Sequence, residues 1–134
     1  MFSRTAKYAI MALTELAAGD RPLKIRELAR AAEIPQAFLA KLIPPLVRAG
    51  IIVSARGKRG GLAFAHPPEE ISLAEAIRAV EGDRLMLVCP FSLTPCGGQE
   101  DCPLAPLWDP VRQQVVAFLE VTSLAQVAER RKSE

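Results

Sequence analysis

The stretch "IIVSARGKRGGLAFAHP", Ile51 to Pro67, constrains the fold more than any other part of the chain. A short β-branched run leads into a basic turn holding three glycines, and a second short apolar run follows. That pattern predicts a β-hairpin. Upstream lie three segments with helical period. In residues 4–18, Ala6, Ala9, Ile10, Leu13, Leu16 and Ala17 share one face, with Ser3 or Thr5 as the cap. In "LKIRELARAAEI" the apolar face is Ile25, Leu28, Ala29 and Ala32. After a turn at Pro35, Phe38/Leu39, Leu42/Ile43 and Leu46/Val47 recur every four residues and Gly50 ends the run. Pro44 and Pro45 interrupt that third helix, and the unbroken apolar phase predicts a kink rather than a stop.

Three helices followed by a hairpin are in the order of a winged helix-turn-helix. The fold class is therefore mainly α with a small β-hairpin wing. A fourth helix is expected in "SLAEAIRAVEG", with Ser72 and Glu75 as a capping box and Gly82 as the stop. A last helix is expected to start at Asp109 and Pro110 and run unbroken to about Arg130. Trp108, Val111, Val115, Phe118, Thr122 and Ala125 form a coiled-coil-like seam along it. So small a domain cannot cover such a helix on both sides, which predicts a twofold homodimer.

Charge divides along the chain. Residues 1–66 hold eleven Lys/Arg against four Asp/Glu, whereas residues 67–134 hold six against eleven. The basic half is an electrostatic footprint for nucleic acid, and the acidic half should face away from phosphates. In a helix-turn-helix the second helix presents its first residues to base edges. Gln36 can pair with adenine, Ala37 can touch a thymine methyl, and Lys41 can reach a base or a phosphate. In the turn of the hairpin, Arg56, Lys58 and Arg59 are suited to a minor groove or to phosphates, and Gly60 lets the backbone come close. Arg4, Thr5 and Lys24 are further candidates for backbone contacts. The G-x-x-x-x-G-K-[ST] phosphate loop is absent. With one histidine, His66, and no nucleophile–base pair, an enzyme is not expected. No apolar run spans a membrane and no signal core opens the chain, so a cytoplasmic location is expected.

The segment "VCPFSLTPCGGQEDCPL" contains every cysteine, as C-x6-C-x5-C. The spacing lacks the C-x2-C pairs of most zinc sites. A loop shaped by Pro and Gly and carrying three thiols suits an iron–sulfur cluster. The competing reading is three free thiols that respond to oxidants by forming a disulfide, a cluster-free thiol-switched DNA-binding repressor.

Taken together, several motifs resemble the Rrf2 family of bacterial transcription regulators. They are "YAIMAL" at Tyr8–Leu13, "LVRAGII" at Leu46–Ile52, the wing "SARGKRGG" at Ser54–Gly61, "ISLAEAIRAVEG" at Ile71–Gly82, and three cysteines before Leu107 and Trp108. That group includes the iron–sulfur biogenesis repressor, nitric-oxide sensors and iron-responsive repressors. The resemblance implies a dimer on palindromic double-stranded promoter DNA, with a [2Fe–2S] or [4Fe–4S] cluster on Cys89, Cys96 and Cys102. The chain departs from the family at the fourth ligand. Where one branch has a histidine, this chain has Ala105; where another has an acidic residue, it has Lys7. The expected organisation is a DNA-binding part at residues 1–82, a cluster-binding loop at 83–105, and a dimerisation helix and tail at 106–134.

Overall fold

The computed structural model describes residues 2–83 and 102–133. The first helix, α1 (Arg4–Ala18), is the centre of the packing. Ser3 caps it, accepting from the Ala6 N–H at 3.1 Å. Ala6, Ala9, Ala12, Leu13 and Leu16 are all buried along its inner face. Helix α2 (Ile25–Ala32) buries Leu28, Ala29 and Ala32, as its periodicity predicts. It ends at Glu33, which takes the left-handed conformation with φ 56°. Ile34 then bonds back to the Ala29 carbonyl, so the turn into the next helix is tight.

Helix α3 (Gln36–Arg48) buries Leu39, Leu42 and Leu46. Both prolines lie inside it, and the helix continues through them to Arg48. Two prolines remove the N–H groups that would reach the Ala40 and Lys41 carbonyls. Both of those residues are on the exposed face, where water can take the place of the lost donors. Gly50, at φ 75°, turns the chain out of α3 and into the hairpin.

The hairpin pairs β1 (Ile52–Ala55) antiparallel with β2 (Gly61–Phe64), with Ile52 opposite Phe64 and Ala55 opposite Gly61. Its inward residues, Ile52 and Leu62, join the core. A 3-10 turn at Pro68–Glu70 leads to α4 (Leu73–Glu81). Half of the expected capping box forms here. Ser72 accepts from the Glu75 N–H, whereas the α4 cap shows no return bond from the Glu75 side chain.

The C-terminal part differs from the sequence expectation. The single helix from Asp109 to Arg130 is two helices, α5 (Ala105–Val121) and α6 (Leu124–Lys132). Pro106, not Pro110, occupies the first turn, and Asp109 is an internal residue that accepts from the Arg112 guanidinium at 3.0 Å. The break at Thr122 and Ser123 has two causes. The backbone there pairs with the lead-in to α4, through Leu73 N–H to Thr122 C=O and Leu124 N–H to Ile71 C=O, both 2.9 Å. Ser123 and Gln126 then form a full capping box that starts a new helix. Helix α6 turns back to pack on α1, and the Arg131 guanidinium meets Glu15 there.

The expected seam is also redistributed. Val115 packs against the core of its own chain, beside Val116 and the buried Leu119. The residues left outside are Leu104, Leu107, Val111, Phe118 and Val121. Among the described residues, no helix is long and apolar enough to cross a membrane.

The Ser123 cap is testable. Replacing it with Ala should lower stability by about 1 kcal/mol, read as a lower urea midpoint with an unchanged slope.

Candidate nucleic-acid interface

Helix α3 presents its first turn outward because its opposite face is fixed in the core. Pro35 stands at the N-cap in extended backbone, and its carbonyl accepts from Phe38 and Leu39. Leu39 is fully buried, and Phe38 packs edge-on against Tyr8 of α1, with ring centroids 4.9 Å apart. Those two anchors leave Gln36, Ala37, Ala40 and Lys41 exposed.

The wing is fastened to the start of α2 by an isolated backbone bridge. Leu23 N–H donates to the Leu62 carbonyl at 3.1 Å, and Leu62 N–H donates to the Leu23 carbonyl at 2.7 Å. Gly61, next to it, has φ 146°, and a Cβ there would lie 2.7 Å from the Leu23 carbonyl. At Gly60 a Cβ would lie 2.3 Å from the Ala55 carbonyl oxygen. Glycine is therefore required at both positions by backbone approach. The wing tip, with Arg56, Lys58 and Arg59, is exposed.

This fastening gathers residues that are far apart in sequence. A cavity of about 410 Å³ is lined by Lys24, Ala40, Pro44, Ser54, Gly57 and Gly60, among others. The N-terminus of α2, the outer face of α3 and the base of the wing thus share one concave surface. Sequence reasoning named Lys24 and Gly60 but missed Ser54. Ser54 stands opposite Leu62 in the hairpin register, a pairing that neither strand shows on its own. Arg4 and Thr5 stand elsewhere, at the head of α1, where the Ser3 hydroxyl donates to Glu81 at the end of α4.

Electrostatics separate the two faces. Among the described residues, Lys24, Lys41, Arg56, Lys58 and Arg59 make no ion pair. Charges away from this surface are partnered more often: Arg78 with Asp83 and Glu120, Arg112 with Asp109, and Arg131 with Glu15. At the edge of α2, Arg21 donates to Glu27 at 2.8 Å, and the Lys24 N–H donates to the same carboxylate. Those two bonds hold the Glu27 carboxyl below the usual carboxylate range, the Arg21 bond having the larger effect. A carboxylate close to the basic surface is thereby neutralised by its own neighbour.

Of the three cysteines, Cys89 and Cys96 lie outside the described residues. Cys102 is a free, half-buried thiol just ahead of α5, and its carbonyl accepts from the Ala105 N–H. Among the described residues, no group of three His, Cys, Asp or Glu is placed to hold a metal ion. His66 is exposed past the end of β2.

A family model described as Rrf2, iron-dependent transcriptional regulator, matches residues 2–130. The fold is similar to the solved structure of CymR, the global cysteine regulator of B. subtilis. That match has a TM-score of 0.79 and 28% identity over 97% of each chain. The structure of T. potens IscR matches with a TM-score of 0.75 and 26% identity, over 100% of this chain and 88% of that one. The transcriptional repressor NsrR of Streptomyces coelicolor is 30% identical over 77% of this chain and 65% of its own length.

Gly61→Ala should cost about 2 kcal/mol or more, the size expected when a Cβ is forced into backbone at a positive φ. Gly19→Ala, at φ −82° with no contact under 3.7 Å, should stay within about 1 kcal/mol. Thermal unfolding of the two variants side by side checks the contrast.

Proposed function

The chain belongs to the Rrf2 family of transcriptional regulators, and from that premise we propose a homodimer that reads palindromic promoter DNA and senses through an iron–sulfur cluster. Residues 1–82 do the reading, 83–105 the sensing, and 106–134 the pairing of subunits. The observation that supports the first part is the shared concave surface of α2, α3 and wing, with Lys24 in its lining and no ion pair at Lys24, Lys41, Arg56, Lys58 or Arg59 among the described residues. Gln36 and Ala37 meet base edges, and Lys41 a base or a phosphate. Arg56, Lys58 and Arg59 enter the minor groove or clamp phosphates, with Gly60 allowing the backbone in. Lys24, Arg4 and Thr5 hold the DNA backbone, the last two from the separate site at the head of α1.

Support for the dimer comes from α5. Leu107 and Val121 are 74% and 77% exposed, and Leu104, Val111 and Phe118 continue the stripe at three- and seven-residue steps. That repeat is the seam of a paired helix. A twofold axis through it would set two copies of α3 on half-sites about 34 Å apart, or a multiple of that spacing.

Support for the cluster comes from donor chemistry. Thiolates are the ligands such clusters take, and among the described residues Cys102 is in no disulfide. Six residues beyond it, the Trp108 Nε1–H is buried with no partner among the described residues, a donor of the kind that sulfur acceptors accept. Cys89, Cys96 and Cys102 would hold the group. When bound, it would supply a centre sensitive to oxidants, iron supply or nitric oxide. Ala105 and Lys7 offer no fourth thiolate, imidazole or carboxylate.

Two measurements test this reading. Anaerobically purified protein should absorb between about 320 and 460 nm with matching iron and sulfide, and Cys102→Ala should lose that absorbance. Operator affinity should differ by about fivefold or more between loaded and stripped protein at one salt concentration. A colourless protein with three titratable thiols moves sensing to a thiol switch; equal affinities remove sensing altogether.

The DNA roles are separable by salt. Lys58→Ala should weaken binding to all sequences alike and reduce the salt slope by about 1, whereas Gln36→Ala should cost about 1–3 kcal/mol at one base pair. Fluorescence anisotropy on operator and scrambled duplexes reads both.

A further inference from the structure

A second cavity, of about 450 Å³, is bordered by Ile10, Met11, Thr14 and Glu15 of α1. Its walls come from three places: α1, the C-terminal end of α2 with its cap Glu33, and α6. The floor is apolar, with Ile10, Met11, Ala32 and Val127. Charge is confined to the rim. Glu15 and Arg131 are there but satisfy each other. Glu33 and Arg130 are also there, both exposed, and neither makes an ion pair among the described residues.

Two further features mark the site. Thr14 lines the cavity at 6% exposure, and its hydroxyl is buried without a partner. Buried hydroxyls are rarely left unpaired, because the loss costs more than a bond to water returns. Glu33 is also the one non-glycine residue with positive φ among those described. An apolar floor with a few convergent polar groups, at this volume, is the form of a small-molecule site.

We propose that this cavity binds a free α-amino acid with an apolar side chain. One free cation and one free anion stand on the rim over an apolar floor, which is the charge pattern of a zwitterion with a hydrocarbon tail. Arg130 takes the carboxylate, as guanidinium groups do with planar oxyanions. Glu33 takes the ammonium, and the side chain covers Ile10, Met11 and Val127. The position does not depend on the cysteine segment or on any cluster. It does border the turn that aims α3, so an occupant would touch the DNA-reading unit directly.

The test is calorimetric titration of the full-length protein with three probes. They are L-leucine; 4-methylpentanoate, which lacks its ammonium; and 3-methylbutylamine, which lacks its carboxylate. L-leucine should bind saturably with a dissociation constant on the order of 1 mM or tighter. Each truncated probe should bind at least about tenfold more weakly, the factor for one lost charge-assisted contact. Arg130→Ala and Glu33→Gln should each weaken L-leucine by a similar factor while leaving the melting temperature of the free protein unchanged. No saturable binding of L-leucine, equal binding of the two truncated probes and the amino acid, or full binding by both variants would each overturn the proposal.

Discussion

Helix α1 is the element on which the rest depends, because it shows alanine where its neighbours cross. Ala6, Ala9 and Ala12 are each at most 1% exposed, and they let α4, α2 and α6 approach closely. Leu13 and Leu16 fill the space between. Interiors are close-packed, so an added methylene at such a crossing forces backbone to move. One helix thus positions both the helix-turn-helix unit, through α2 and α3, and the C-terminal half, through α4 and α6. The outward face of α3 follows from this arrangement: Phe38 against Tyr8, and Leu39 in the core, fix the rotation that leaves Gln36 and Lys41 outside.

The N-terminal half was legible because its signals are local. Helical period, the Ser3 cap, Gly50 and the glycine-rich turn each report on a few residues, and the four helices formed within a residue or two of their expected bounds. The prolines in α3 were legible as a conflict between apolar phase and backbone chemistry, and phase prevailed. What was not legible was the bridge between Leu23 and Leu62, thirty-nine positions apart in sequence order but paired by two backbone bonds. Backbone bonds carry no side-chain signature. Without that bridge, Lys24 and the wing are two basic pieces; with it, they border one surface.

The C-terminal half was read less well, for a related reason. Apolar residues lie on more than one side of α5, so periodicity alone could not say which side faces the chain's own core. Val115 and Phe118 belonged to one expected seam, yet the first packs inward and the second is 57% exposed. The break at Ser123 had a readable cue, a serine three residues before Gln126. The apolar phase running across it outweighed that cue. Tertiary pairing with Leu73 and Ile71 decides the matter, and a continuous helix would forfeit both backbone bonds.

Arg78 shows how the two halves are joined around the cysteine segment. Its guanidinium donates to Asp83 at 3.0 Å and to Glu120 at 2.9 Å. Asp83 lies just past α4 and Glu120 near the far end of α5, so one side chain ties the ends of the two helices. The Glu120 bond is the larger cause holding Arg78 charged, with Asp83 adding to it. These pairs are exposed, and exposed pairs contribute only about 0–1 kcal/mol each. They are therefore not what holds α5 to α4; the buried Leu119 and Ile77 belong to the shared core that does so. The guanidinium instead sets direction, since its planar fork accepts carboxylates only along its N–H bonds. Losing either arm would cost little against the core that α4 and α5 share, so the packing of the two helices does not depend on the fork.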